Sequence, residues 1–207
     1  MCYIIQTNDD RRTSAAKRMS TTEHPRGEVA DSNFVISRVL KAPRQRVFKA
    51  WTDPKLLAQW WGPHTFINPV CQAEARAGGP YRIVMRSPEG VDYPLKGVFR
   101  EVAEPERLVL TMDCSEHPAG WQALVNPDRK QEENNPAGEM LATIRFEASG
   151  ANTRLTIRIR FESATICDAM LRMGMSEGWS ESLERLRDLV AAPAPIVEEQ
   201  AHGGLAG

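Results

Sequence analysis

A hydrophobic pattern with a period of two runs through the middle of the chain and limits what it can fold into. Its clearest stretch covers residues 140–161, where two alternating runs flank the turn sequence Ser149-Gly150-Ala151-Asn152. The apolar positions of the two runs are Met140, Ala142, Ile144, Phe146, Leu155, Ile157, Ile159 and Phe161. Successive side chains of a strand point to opposite faces, so this alternation puts the apolar residues on one face. The pattern predicts a hairpin in an antiparallel sheet with one buried face.

Shorter alternating runs upstream predict the other strands of a meander. They cover residues 34–39, 81–85, 95–99 and 108–112, and turn sequences such as Ser87-Pro88-Glu89-Gly90 separate them. Helical spacing of apolar residues follows the first run twice, once after Pro43 and once after Asp53-Pro54. The sequence therefore predicts two short helices after the first strand, and then a sheet of about six or seven strands in total.

The last apolar pattern has the period of a helix and covers residues from about 164 to 192. Its apolar face consists of Trp179, Leu183, Leu186 and Val190, and charged residues occupy the opposite face. One long amphipathic helix is the prediction. Gly174 and Gly178 would each cost about 1 kcal/mol inside it relative to alanine. Unless the helix kinks there, they indicate close approach of another backbone or of a ligand.

The chain divides into one domain and two tails by composition. Residues 1–32 are polar with mixed charges and lack periodicity, which predicts disorder, and residues 193–207 read as a second disordered tail. A single domain is expected over residues 33–192. We also expect translation to begin naturally at Met19, which the intact mass of the native protein would test. Residues 115–138 form a long polar stretch that is a candidate lid over a site.

Charge and cysteine usage exclude several classes of protein. The 26 Lys and Arg residues balance 27 Asp and Glu residues, which argues against binding to nucleic acid or to a membrane surface. The four cysteines lie more than forty residues apart, so no local redox pair or zinc cluster can form. Neither a signal peptide nor a run of about 18 apolar residues is present. A cytoplasmic protein with reduced thiols is the expectation.

No catalytic motif stands out in the sequence. It has no nucleophile elbow, no HExxH, no phosphate-binding glycine loop and no dinucleotide fingerprint. His64 and His117 lie in predicted loops without a nearby acidic partner in sequence, and we expect them to be solvated. Only Tyr81 and Tyr93 are polar side chains that could point into the fold. We therefore predict no catalytic residue, no metal site and no cofactor.

Several phrases of the sequence closely resemble the SRPBCC superfamily, and within it the branch related to the C-terminal domain of the heat-shock-chaperone ATPase activator. These phrases are VLKAPRQRVFKAWTDPKLLAQWWGP, YRIVMRSPEG, LKGVFREVAEPERLVLT, TRLTIRIRF and MGMSEGWSESLERL. The resemblance covers roughly residues 33 to 192. It implies an α+β helix-grip fold, in which a curved antiparallel sheet wraps around the long C-terminal helix.

The resemblance also implies a pocket for a small hydrophobic ligand between the sheet and the C-terminal helix. The candidate ligand-binding residues are Trp51, Trp61, Tyr81, Ile83, Met85, Phe99, Met112, Ile144, Ile157 and Trp179. Eight methionines favour an adaptable lining, because thioether side chains fill irregular space. The alternative is that the same apolar side chains meet and fill the space as an ordinary core.

Three functions follow as hypotheses from these features. The first is non-enzymatic binding of a small lipid-like or aromatic molecule. The second is a cochaperone-like or adaptor protein with a protein partner, or a homodimer, in which Trp61 and the 115–138 stretch would form the contact surface. The third is an aromatic or polyketide cyclase-like enzyme, for which Tyr81 and Tyr93 are the only polar candidates.

Overall fold

The hairpin of residues 140–160 forms the centre of an antiparallel sheet in the computed structural model, which describes residues 3–6, 32–127, 135 and 137–192. The elements, in chain order, are β1 (Tyr3–Gln6), β2 (Asn33–Leu40), α1 (Arg44–Thr52), α2 (Pro54–Trp60), β3 (Ile67–Ala73), β4 (Pro80–Arg86), β5 (Asp92–Ala103), β6 (Arg107–Met112), α3 (Ala119–Val125), β7 (Met140–Ser149), β8 (Asn152–Arg160), α4 (Ala164–Arg172) and α5 (Met175–Ala191). Among these helices none combines the length and the apolarity needed to cross a membrane.

The strands form one open sheet in the order β1-β2-β8-β7-β6-β5-β4-β3. The seven strands from β2 to β8 pair antiparallel, and the central hairpin places Ile144 opposite Ile157. Together with the C-terminal helix, this sheet confirms the predicted α+β helix-grip fold. It also confirms the two short helices between the first antiparallel strand and the meander.

One face of the sheet carries the core, as the alternation predicts. In β8 the buried residues Leu155, Ile157 and Ile159 alternate with the half-buried Thr156 and with exposed arginines. Helix α5 buries Trp179, Leu183, Leu186 and Val190 and contacts β2, α1 and α2. Burial of this apolar face is the main stabilising contribution to a sheet that stays solvated on its other side.

Local sequence sets where the short helices begin. Pro43 precedes α1, and Asp53 precedes α2 with a side-chain carboxylate that accepts a hydrogen bond from Lys55 N at 2.9 Å. Pro54 occupies the first position of α2, where its missing N–H costs nothing. The indole Nε1 of Trp60 donates to Ala50 O at 2.9 Å and ties the two helices together.

The C-terminal region contains two helices, so the prediction of one long helix is wrong. Helix α4 ends with its cap at Met173, and Gly174 has a φ of 87° before α5 begins at Met175. A residue in this left-handed region cannot continue a right-handed helix, and glycine adopts it without steric cost. Gly178 remains inside α5, where Pro63 lies against it: a Cβ built there would be 3.8 Å from Pro63 Cγ.

Two predictions of irregular structure need correction. The polar stretch 115–138 contains helix α3, and Val125 and Ala137 are buried within it. Tyr3–Gln6, inside the segment predicted to be disordered, pair in parallel with β2 as strand β1. The β-prone residues Tyr3, Ile4 and Ile5 can use the backbone groups that β2 leaves unpaired at its edge. The rest of residues 1–31, including Met19, and residues 193–207 lie outside the described residues.

The break at Gly174 can be tested against the helical Gly178 four residues later. Gly174→Ala should lower the free energy of unfolding by roughly 1 kcal/mol, because alanine is strained at positive φ. Gly178→Ala should leave it unchanged or raise it by up to about 1 kcal/mol, because the new methyl meets only ordinary contacts inside a helix. Urea unfolding of both variants measures the difference, and a Gly174→Ala protein as stable as the wild type would contradict the assigned break.

Candidate ligand-binding site

A cavity of about 330 Å³ lies between the sheet, the α4–α5 junction and the two loops that precede β3 and α3. Its size falls in the range of small-molecule pockets. From the sheet it is lined by Met85, Tyr93, Leu95, Met112, Met140 and Ile159. These residues lie at the C-terminal ends of β4, β6 and β8 and at the N-terminal ends of β5 and β7. Antiparallel pairing brings those ends to the same edge of the sheet, so the cavity occupies one end of the fold.

The helices supply the opposite wall. Met170, Met173, Gly174, Met175, Gly178, Trp179 and Ser182 line the cavity from the end of α4 and the first half of α5. The second half of α5, with Leu186 and Val190, belongs to the filled core. The break at Gly174 therefore places the ends of two helices, and three methionines, beside the cavity.

Every methionine among the described residues lines this cavity. The six are Met85, Met112, Met140, Met170, Met173 and Met175. Met112 and Met140 are buried, whereas the other four are partly exposed at the rim. Flexible thioether side chains adapt to guests of different shape, which makes the lining adjustable.

Trp61 and Trp179 form an aromatic corner of the cavity. Their ring centroids lie 5.3 Å apart in an edge-to-face arrangement, and both rings are largely buried. Behind them, Trp51 stacks on Trp179 at 6.4 Å and Trp60 packs against Trp51 at 4.8 Å, outside the cavity lining. Trp61 is only 6% exposed, so it does not provide the partner-contact surface that the sequence suggested.

Arg185 of α5 holds the loop that carries Trp61. Its Nη1 lies 2.8 to 3.3 Å from the carbonyl oxygens of Trp61, Gly62, Pro63 and Phe66, which share its two N–H groups, and its Nη2 donates to Gln59 O at 2.9 Å. All four of the residues bound by Nη1 line the cavity. Burial lowers the pKa of Arg185, but an arginine keeps its charge at neutral pH. One guanidinium thus fixes this part of the cavity wall.

His64 in the same loop has acidic partners, which corrects the expectation of an unpartnered histidine. Its ring Nε2 lies 2.9 Å from Glu184 Oε2, and its backbone N–H donates to Glu181 Oε2 at 3.0 Å. The ring is about half exposed. Both glutamates come from α5, more than a hundred residues away in sequence, so only the tertiary fold brings them together.

His117 is buried in the cavity wall, so the prediction of a solvated histidine is wrong. Its side chain is 7% exposed, and its Nδ1 lies 2.9 Å from Pro94 O. The ring centroid is 4.3 Å from that of Trp121 and 5.5 Å from that of Tyr93. Burial lowers the pKa of His117 to about 4, against the opposing effects of the Pro94 carbonyl and Asp113. The imidazole is therefore neutral at pH 7.

Glu116 anchors the segment that carries His117. Arg82 and Lys96 both donate to its carboxylate, and these hydrogen bonds lower the pKa of Glu116 to about 2. Gln122 Nε2 also donates to His117 O at 2.6 Å. These contacts fix the backbone beside the cavity, although Glu116 itself faces solvent.

The structure separates the ten sequence-predicted ligand-binding residues into two groups. Trp61, Met85, Met112 and Trp179 line the cavity. The other six do not line it and lie in the core: Trp51, Tyr81, Ile83, Phe99, Ile144 and Ile157. Tyr81 uses its hydroxyl to donate to Thr111 O at 2.6 Å. Alternation predicts the face of the sheet on which a residue lies, but not which end of that face is open.

The cavity residues that the ligand prediction missed come mainly from loops and helix ends. His117, Trp121 and Phe66 belong to segments without clear periodicity, and Met170, Met173 and Met175 cluster at the helix break. The closely spaced methionines around Gly174 were the one signal in the sequence that could have located this wall.

The thiol of Cys114 also lines the cavity, but it is not suited to act as a nucleophile. Burial raises its pKa to about 12, so the reactive thiolate is scarce at neutral pH. Within the described ranges, no three His, Cys, Asp or Glu side chains gather where they could hold a metal ion.

Residues 41–191 match the protein family described as Activator of Hsp90 ATPase homolog 1-like protein. The chain belongs to this family. This match confirms the resemblance to the SRPBCC superfamily that the sequence indicated. No curated protein matches the chain.

Solved structures of other proteins share this fold. A protein from Nitrosomonas europaea is 28% identical, with a TM-score of 0.64, and the match covers 78% of this chain and 96% of that one. A protein from Arthrobacter aurescens is 26% identical, with a TM-score of 0.66, over 86% of this chain and 96% of that one. The AHSA1 protein of Silicibacter pomeroyi, at 23% identity and a TM-score of 0.58, covers 77% and 97% and shows the fold alone.

The role of Arg185 can be separated from that of an ordinary surface arginine on the same helix. Arg185→Lys should destabilise the protein by about 1 to 3 kcal/mol, because a lysine cannot satisfy the carbonyl oxygens that the guanidinium now binds. Arg187→Lys is the control, since the Arg187 side chain is 56% exposed and should change stability by less than about 0.5 kcal/mol. Equal effects of the two substitutions in chemical denaturation would contradict the assignment.

The buried neutral state of His117 predicts a pH dependence of stability. The pKa is about 4 in the folded protein and about 6.5 in an unfolded chain, so the unfolded state binds more protons between these values. His117 should therefore remove about 3 kcal/mol of stability as the pH falls from 6.5 to 4. The variant His117→Gln should lack this component, whereas His64→Gln should retain it. Urea unfolding across this pH range measures it, and parallel curves for wild type and His117→Gln would refute it.

Proposed function

We propose that this protein binds a small apolar molecule, without chemical conversion, in the cavity between the sheet and the α4–α5 junction. The observation that carries the proposal is the lining of that cavity: six methionines and the aromatic side chains Trp61, Phe66, Trp121 and Trp179 surround about 330 Å³. Transfer of an apolar ligand from water into such a lining is favourable at about 25 cal/mol per Å² of apolar surface buried. Membership in a helix-grip family supports the same reading.

The shape of the core supports binding over simple packing. Side chains from the middle of the sheet, such as Ile144 and Ile157, are fully buried against the helices. At the cavity end, Met85, Met170 and Met173 remain partly exposed although they share the cavity lining with buried residues. An apolar surface that is concave, adjustable and reachable from solvent is what a small-molecule site requires.

Each of the other two hypotheses loses one of its named residues. Trp61 was to contact a protein partner, and it lies in the cavity wall instead. Tyr81 was a candidate polar group for a cyclase, and its buried hydroxyl is bound to Thr111 O. Burial also raises the pKa of Tyr81, so its hydroxyl stays protonated. The family description names a chaperone activator, and a partner-binding role for this chain rests on that description alone.

A neutral fluorescent probe tests the proposal. N-phenyl-1-naphthylamine should bind the wild-type protein with increased fluorescence, because transfer into the apolar cavity removes it from water. Met173→Trp should weaken this binding about tenfold or more, since an indole at the rim occupies space that the probe needs. Titration of the probe against each protein gives the affinities.

The matched control introduces the same side chain elsewhere. Leu124→Trp changes an α3 residue that is 66% exposed and outside the cavity lining, so it should bind the probe like the wild type. No fluorescence increase with the wild type, or an equal loss in both variants, would overturn the proposed site.

A further inference from the structure

His117 lines the cavity, and one hydrogen bond fixes which of its ring nitrogens carries the proton. Pro94 O cannot donate, so the 2.9 Å contact requires that Nδ1 of His117 carries the proton. In a neutral imidazole the other nitrogen, Nε2, is then an unprotonated acceptor. Trp121 and Tyr93 pack against the ring and restrict its rotation. His117 thus contributes a positioned acceptor to a lining that is otherwise mostly apolar.

Other polar side chains of the described lining are Ser182, Cys114 and Tyr93. The Ser182 hydroxyl donates to Gly178 O at 2.7 Å, so its proton is already in use. The Cys114 thiol is a weak hydrogen-bonding group. Tyr93 contributes a hydroxyl that can donate as well as accept. Among the side-chain nitrogens of the described lining residues, only Nε2 of His117 accepts without donating, because the indole nitrogens of Trp61, Trp121 and Trp179 are donors.

The described residues bring no charged side chain to the lining. None of those that line the cavity is an Asp, Glu, Lys or Arg. A carboxylate or ammonium group placed in the cavity would lose its hydration without gaining an ion-pair partner, which is costly. The site therefore selects against ionised ligands.

The walls also favour a flat ring. Trp61, Trp121 and Trp179 present aromatic surfaces, and the methionine thioethers pack favourably against aromatic edges and faces. A planar guest gains contacts from both kinds of side chain, whereas a flexible alkyl chain loses more conformational entropy when it is ordered.

From these observations, and resting on the proposed function, we propose that the cavity takes an uncharged aromatic molecule bearing a hydroxyl or N–H group, which donates a hydrogen bond to Nε2 of His117. His117 is then the residue that determines specificity among apolar ligands. A ligand with an ether oxygen at the same place would bring a second hydrogen-bond acceptor against Nε2 of His117, and neither atom could donate. Such a mismatch leaves both buried atoms unpaired and weakens binding more than the loss of a contact does.

A matched pair of ligands tests this inference on the unaltered protein. At pH 7, 1-naphthol should bind about tenfold or more tightly than 1-methoxynaphthalene, which has the same ring and keeps the oxygen but cannot donate. Isothermal titration or displacement of N-phenyl-1-naphthylamine gives both affinities. Equal affinity for the two ligands would overturn the inference while leaving the proposed function standing. No binding of either ligand, together with no binding of the probe, would overturn both.

Two variants assign the preference to a residue. His117→Phe should reduce the preference for 1-naphthol to less than about twofold. Tyr93→Phe should retain the preference, because it removes a cavity hydroxyl and leaves Nε2 of His117 in place. If His117→Phe only disturbed the structure, it would weaken the binding of both ligands equally and leave the ratio of their affinities unchanged. An unchanged ratio in His117→Phe, or a ratio lost only in Tyr93→Phe, would refute the assignment to His117. Should His117→Phe not fold, the ligand pair on the wild type still decides the inference.

Discussion

The sheet has one apolar face that must be covered, and the rest of the structure depends on how this is done. Helix α5 covers the middle of the face with Trp179, Leu183 and Leu186, and α1 and α2 extend the cover. Helix α5 begins only after the turn at Gly174, so it covers only part of the apolar face. At one edge of the sheet, the α4–α5 junction and two loops cover the face instead, and the cavity lies between them and the sheet.

The loops that complete the cavity are not loose connections. Arg185 binds five backbone carbonyl oxygens of residues 59–66, and Glu116 ties the segment before α3 to Arg82 and Lys96 on the sheet. A cavity wall built from loops holds its shape only when such contacts satisfy the backbone groups. The adjustable part of the lining is the methionine side chains. The backbone around the cavity is therefore fixed, whereas its apolar surface can change shape.

Family membership bears on the fold of the protein, whereas the geometry of the cavity bears on the kind of ligand that could bind there. The family match assigns the fold, but a fold by itself does not assign a function. The geometry of the described residues adds aromatic walls, a lining to which they bring no charged side chain, and a buried neutral imidazole at His117. These features favour recognition of an uncharged ring and give His117 a role that the family description does not contain.

The sequence by itself determined most of the strands, the face that those strands bury, the two short helices and the family, because side-chain alternation and turn residues act locally. Local signals also marked Gly174 as a special position, although not as the end of a helix. Only the tertiary structure decided which end of the buried face stays open, and therefore why Ile83 and Ile157 lie in the core while Met85 and Ile159 line the cavity. It likewise decided the burial of His117 and the partners of His64 and Arg185. These depend on residues distant in sequence, and no local pattern records such contacts.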